Sequence, residues 1–191
     1  MRTVPMGETA GAVPPPSPTT PRLPARHRAP PIDATSDFDA FYRREFATLA
    51  VLAGTVAGNR SVGEDLAQEA LSKVHQHWAK VSSLDKPGAW ARRVAINLAI
   101  GRKRRFGVER RALRRIGPAT DAAPESRSGD PQVWAAVEEL PPRQRAVVAL
   151  RYLDDRSVAE IAEILEISVS AATSNLHKAR TNLAITLGAN Q

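Results

Sequence analysis

Along two stretches of the chain, about residues 36 to 115 and 130 to 188, apolar positions recur at intervals of three and four rather than two. That spacing predicts amphipathic helices, and no β-branched run bounded by turns predicts a strand. An opening helix is expected over Asp37 to Ala57, capped by Asp37, with Phe38, Phe41, Phe46, Leu49 and Leu52 as its apolar stripe and Gly58 with Asn59 as its end. Ser61 is expected to begin a second helix running to Val81, with Leu66, Ala70, Val74, Trp78 and Val81 inward. Pro87 suits the first turn of a third, whose inward stripe is Trp90, Ala91, Val94 and Leu98.

The second stretch carries the sharper punctuation. Asp130 can cap a short helix through Trp134 and Val137, and Pro142 stands near the start of the next. Ser157 followed by Glu160 reads as a capping box, opening a helix with Ile161, Ala162 and Leu165 inward. After Glu166 and Ile167, Ser168 can cap a final helix that turns Ala172, Leu176, Ala179 and Leu183 inward. Two helices joined by so short a turn describe a helix-turn-helix, although any packed helix pair shares part of the pattern. The expected fold is therefore all-α: two small helical domains joined by a flexible linker.

Composition adds the boundaries. Residues 1–35 hold nine of the fifteen prolines and few large apolar side chains, which predicts a disordered tail; a proline-rich docking motif is the alternative. Residues 106–130 read as a basic and then flexible linker, leaving 36–105 and 131–188 as the folded parts. The absence of cysteine removes disulfides and thiolate metal sites. No stretch is apolar for long enough to span a bilayer, and no secretory core opens the chain, so a cytoplasmic location is expected. The net charge of +7 suits a nucleic acid or anionic surface, but it is unevenly spread: +5 over residues 36–105 and −1 over residues 131–191.

Candidate chemistry follows from these faces. Asp65, Gln68, Glu69, Ser72 and Gln76 fall together on the side of the second helix opposite its core stripe, which suits either a solvated face or a protein-docking one. Glu69, His75 and His77 lie close in sequence, but histidines two apart diverge on a helix, so no metal or other cofactor is expected. Arg92, Arg93, Lys103 and Arg104 belong to a helix whose end is more basic than dipole compensation requires, which favours phosphate contact. The outward side of the last helix, from Ser168 through Val169, Ser170, Thr173, Ser174, Asn175 and His177 to Lys178, offers groups able to meet base edges and phosphates. With so neutral a domain, DNA binding by that helix alone should be weak and should depend on tethering.

The segments "GEDLAQEALSKVHQHW", "PGAWARRVAINLAIGRKRR", "LPPRQRAVVALRYLDDRSVAEIAEIL" and "ISVSAATSNLHKARTNL" together resemble a bacterial sigma factor of the sigma-70 family, in the two-domain layout of its extracytoplasmic function group. The resemblance implies a non-enzymatic subunit that binds core RNA polymerase and directs it to promoter DNA. It assigns Asp65, Gln68, Glu69 and Ser72 to the clamp helices of the largest polymerase subunit. It assigns Arg92, Arg93, Asn97, Lys103 and Arg104, with the loop Ser82 to Lys86, to the minus-10 element, and the last helix to the minus-35 element. An anti-sigma factor that occludes these surfaces is a further partner the family implies. Two departures stand out: Glu166 occupies a turn position where glycine is common, and Thr173 and Asn175 replace basic residues. The competing function is a stand-alone helix-turn-helix regulator, which would bind paired half-sites without polymerase.

Overall fold

The computed structural model describes the backbone of residues 34–113 and 130–188, and side chains at 37–59, 61–102 and 130–188. Residues 1–33 of the expected tail and 114–129 of the expected linker lie outside the described residues, as do the side chains of Lys103 and Arg104, while Ala34 and Thr35, read as tail, begin α1. Among the described residues every regular element is helical: α1 (Ala34–Ala57), a 3-10 turn (Arg60–Val62), α2 (Gly63–Gln76), α3 (Trp78–Val81), α4 (Pro87–Leu113), α5 (Pro131–Glu139), α6 (Pro142–Tyr152), α7 (Val158–Leu165) and α8 (Val169–Gly188). The all-α expectation holds.

Several boundaries differ from the sequence reading, and α4 runs on to Leu113, through residues 106–113 of the expected linker. Helix α1 starts at Ala34, so Asp37 lies within its first turn, where its charge favours the helix dipole, instead of capping it. The expected single helix from Ser61 to Val81 is interrupted at His77, whose φ of −116° and ψ of 17° leave the helical region. At the interruption Trp78 reaches Phe38 and Phe41, with ring centroids 5.3 and 5.0 Å away. Nor does Ser61 cap: it donates from its amide and its hydroxyl to Asn59 Oδ1, at 3.0 and 2.8 Å. Pattern marks the inward face of a helix well, but it does not register a one-residue break that leaves the face intact.

Helices α1, α2 and α4 pack on one another, and α6 joins α1 to α8. The inward stripes are as expected, with Phe41, Leu49, Leu52, Leu66, Val74, Trp90 and Val94 buried. Small residues let the helices approach: a Cβ on Gly63 would sit 2.3 Å from the Ala50 carbonyl of α1. The main apolar cluster does not stop at the chain's midpoint. It runs from these helices into Ala146, Val147, Leu150, Ile161, Ile164, Ala172 and Leu176, so the two halves share a core.

The same C-terminal helix cap is used twice. At the end of α1, Asn59 N donates to Gly54 O and Gly58 N to Thr55 O, both at 3.1 Å, with Gly58 at φ 75°. At the end of α7, Ile167 N donates to Ala162 O at 3.0 Å and Glu166 N to Glu163 O at 3.3 Å, with Glu166 at φ 53°. Both are Schellman motifs, which need one left-handed residue. Glycine takes that conformation freely, whereas a side chain there costs about 1–2 kcal/mol. Glu166 bears that strain.

Candidate nucleic-acid and polymerase interface

Three surfaces carry the sequence-derived candidates. On α2, Asp65, Gln68, Glu69, Ser72 and Gln76 are all exposed, opposite a face where Leu66, Ala67, Ala70, Leu71 and Val74 are buried. Among the described residues, a 3.6 Å contact from Lys73 to Glu69 offsets the acidic character of this side. An exposed pair of that kind contributes little to stability, so the carboxylates stay available to a partner.

The helix-turn-helix is formed by α7 and α8. Ser157 Oγ accepts from Glu160 N at 3.2 Å while the Glu160 carboxylate accepts from Ser157 N at 2.9 Å, realising the capping box. The Ser157 amide and hydroxyl, which donate to the Glu160 carboxylate at 2.9 and 2.8 Å, and after them the Arg156 guanidinium, hold that carboxyl down to about 2. Ser168 Oγ then accepts from Ala171 N at 3.1 Å and starts α8, as expected. Along the outer side of α8, Ser170, Thr173, Ser174, His177 and Lys178 are exposed, and Val169 is 54% exposed. Asn175 is half-buried and donates from Nδ2 to Ala171 O at 2.9 Å, and Thr173 Oγ1 donates to Val169 O at 2.9 Å. Two of the candidate base-reading groups are thus bonded back to their own helix.

The near-neutral charge of the C-terminal half is also resolved in space. Helix α8 contains no acidic residue, and carries Lys178 and Arg180. The acids lie on α5, α7 and the turns around α7, where Asp154, Glu163 and Glu166 face α4. The neutral sum therefore conceals a last helix that carries cations and no acid, and an acidic edge beside α4.

That edge meets the start of α4. Arg92 is only 7% exposed and lies between two carboxylates: it donates to Glu45 Oε2 of α1 at 2.7 Å, and to Asp154 Oδ2 and Oδ1 at 2.6 and 3.0 Å. It also donates to the Gly88 carbonyl at 3.1 Å, and a Cβ on Gly88 would approach its guanidinium to 2.8 Å. Burial opposes the Arg92 charge, but the bonds and charges of Asp154 and Glu45 outweigh it and raise the guanidinium above its usual range. Burial likewise opposes the Asp154 charge, and bonds from Arg92 and Arg156 overcome it, holding that carboxyl below its usual value. Arg93 donates to the carbonyls of Ile164 and Glu163 at 2.8 and 2.9 Å and pairs with the Glu166 carboxylate. Lys86, in the loop before α4, reaches Glu163 at 2.6 Å.

Of the minus-10 candidates, then, Asn97 is exposed on α4, while Arg92 and Arg93 are engaged by the C-terminal helices. Sequence reasoning singled out both arginines but missed their partners, because Asp154, Glu163 and Glu166 are more than sixty residues away. The one available signal was Glu166 itself, an acid at a turn position that favours glycine.

Comparison with known proteins agrees with this geometry. A family model for sigma-70 region 2 matches residues 41–107 and one for sigma-70 region 4 matches residues 131–183. The chain is 27% identical over 166 residues to the ECF RNA polymerase sigma factor SigW of Bacillus subtilis, covering 79% of this chain and 87% of that one. It is 30% identical over 169 residues to the ECF RNA polymerase sigma factor SigE of Mycolicibacterium smegmatis, covering 79% of this chain and 64% of the relative. Among solved structures, the sigma factor RpoE of Bartonella quintana, crystallised with the anti-sigma factor NepR, shares the fold. It has a TM-score of 0.64 at 21% identity, over 82% of this chain and all of that one.

Proposed function

The chain belongs to the sigma-70 family, in its extracytoplasmic function group, and from that membership we propose how it works: as an alternative sigma factor that binds core RNA polymerase, directs it to specific promoters and assists their opening. It is an initiation factor and not an enzyme. Its place of work is the cytoplasm, where polymerase is, and no described helix is long and apolar enough to cross a membrane.

The exposed acids, amide and hydroxyl of α2, Asp65, Gln68, Glu69 and Ser72, dock on the clamp helices of the largest polymerase subunit. Charge complementarity there sets register and encounter rate. The exposed side of α4 around Asn97, with Arg92, Arg93, Lys103 and Arg104, serves the minus-10 element. The outer side of α8, from Ser168 to Lys178, serves the minus-35 element, and an anti-sigma factor is a partner able to cover these faces.

One observation supports the reading above the others: the same chain exposes an acidic helix face and, apart from it, an acid-free face on the second helix of a helix-turn-helix. Run-off transcription from genomic fragments, using purified core polymerase with and without the chain, tests it. Transcripts that require the chain are expected. Asp65→Arg with Glu69→Arg should abolish co-purification with core polymerase while leaving helicity intact. Tight selection of a duplex by the isolated chain, with no effect on polymerase, would overturn the reading.

A further inference from the structure

We infer that Val169 and Thr173 make the first turns of α8 a reader of thymine methyl groups, so that the minus-35 element this chain prefers carries thymine at the base pairs these two side chains meet. The inference rests on the sigma reading for the placement of α8 in the major groove. In a helix-turn-helix the early residues of the second helix are the ones that meet base edges. Here they follow directly on the Ser168 cap, whose hydroxyl accepts from Ala171 N at 3.1 Å and closes the first turn. Val169 and Thr173, four residues apart, lie on one row of the helix surface, and both are exposed.

A lone exposed valine is ordinary, but the neighbours of this one make it informative. Paired hydrogen bonds to a purine edge need arginine, lysine, asparagine or glutamine, and from Val169 to Ser174 the helix has none of them. The polar groups it does have at this end are engaged within the protein. The hydroxyls of Ser168 and Ser170 share a bond of 3.0 Å, Thr173 Oγ1 donates to Val169 O at 2.9 Å, and Asn175, half-buried, donates from Nδ2 to Ala171 O at 2.9 Å. What the row offers instead is the isopropyl group of Val169 and the methyl carbon of Thr173, beside a hydroxyl whose proton is already committed. In the major groove the apolar feature that marks a base is the thymine C5 methyl, which apolar side chains and the threonine methyl meet. Farther along, His177 and Lys178 are exposed and suit acceptors on guanine or phosphate, so hydrogen-bond readout falls to the later turns.

A duplex pool randomised over the upstream element, selected by the full chain with core polymerase, identifies the preferred sequence, and thymine should be enriched at one position or more on either strand. Uracil in place of that thymine deletes the methyl and keeps every hydrogen-bonding group. It should weaken competition for the complex by about fourfold per methyl, the worth of taking one carbon out of apolar contact. Methylated cytosine should outcompete plain cytosine at the same position by a similar factor. Val169→Ala with Thr173→Ser removes the carbon, keeps the Thr173 hydroxyl bond and alters exposed positions only, so the fold is retained. That variant should bind thymine and uracil sites alike while associating with core polymerase as before, and Val169→Ile should keep the preference. Uracil accepted everywhere without loss, or thymine still preferred by the double variant, overturns the methyl reading and leaves the sigma reading standing. Loss of polymerase association in the double variant does the same, because these side chains would then be protein contacts. A site selected equally well without polymerase, with the uracil penalty intact, sinks the sigma reading and keeps the methyl one. A pool from which the chain selects nothing, with or without polymerase, sinks both.

Discussion

The start of α4 and the outer side of α8 are both cationic helix surfaces, yet they sit in opposite surroundings. On α8 the cations Lys178 and Arg180 are exposed on a helix that bears no acid. On α4, Arg92 is buried between Glu45 and Asp154, and Arg93 is held by the backbone and carboxylate at the end of α7. The first arrangement can meet DNA as it stands, while the second first has to lose protein partners. A basic run in a sequence therefore does not say whether its charge is available, because availability depends on which acids the fold brings opposite.

The largest effect that would break this contrast is on stability. Arg92→Ala removes the cation that Glu45 and Asp154 share and leaves them only the more exposed Arg44 and Arg156, so urea unfolding should lose about 3 kcal/mol, the lower end of the range for removing one partner of a buried pair. A loss below about 1 kcal/mol would mean that the contact between Arg92 and Asp154 is open in solution. Acid should produce an intermediate effect. The Asp154 carboxyl, flanked by Arg92 and Arg156, and the Glu160 carboxyl, paired with Arg156 and Ser157, both lie below their unfolded values. Their stabilisation is complete above those unfolded values and is lost as pH falls through the folded ones. Thermal midpoints should therefore be insensitive to these two groups near neutrality and fall between about pH 4 and pH 2, and Asp154→Asn should remove part of that slope. The smallest stability effect belongs to α8. Lys178→Ala should alter unfolding by no more than about 0.5 kcal/mol, yet reduce the salt slope of promoter binding in the polymerase complex by about one.

Much of this protein was legible before its structure. The inward stripes, the capping box at Ser157, the cap at Ser168 and the exposed side of α2 all follow from local spacing, and each is realised. Local rules also missed particular things. The break at His77 leaves the inward face of the helix undisturbed, so periodicity does not register it. Ser61 is a sound capping residue by type, but Asn59, two residues earlier, takes the turn. The neutral charge of the C-terminal half suggested weak DNA contact throughout. A sum over residues cannot show that Asp154, Glu163 and Glu166 gather on the edge that meets α4 and its preceding loop, while α8 itself bears no acid.

The sequence by itself determined the helices, their buried faces and the two families of exposed side chains, because those depend on neighbours one or two turns apart. Only the tertiary structure decided that Arg92 and Arg93 meet Asp154 and Glu166, and that a glutamate, not a glycine, bends the turn before α8. Those pairings link residues more than sixty positions apart, and they arise because one apolar core draws both halves of the chain together and leaves their charged edges face to face.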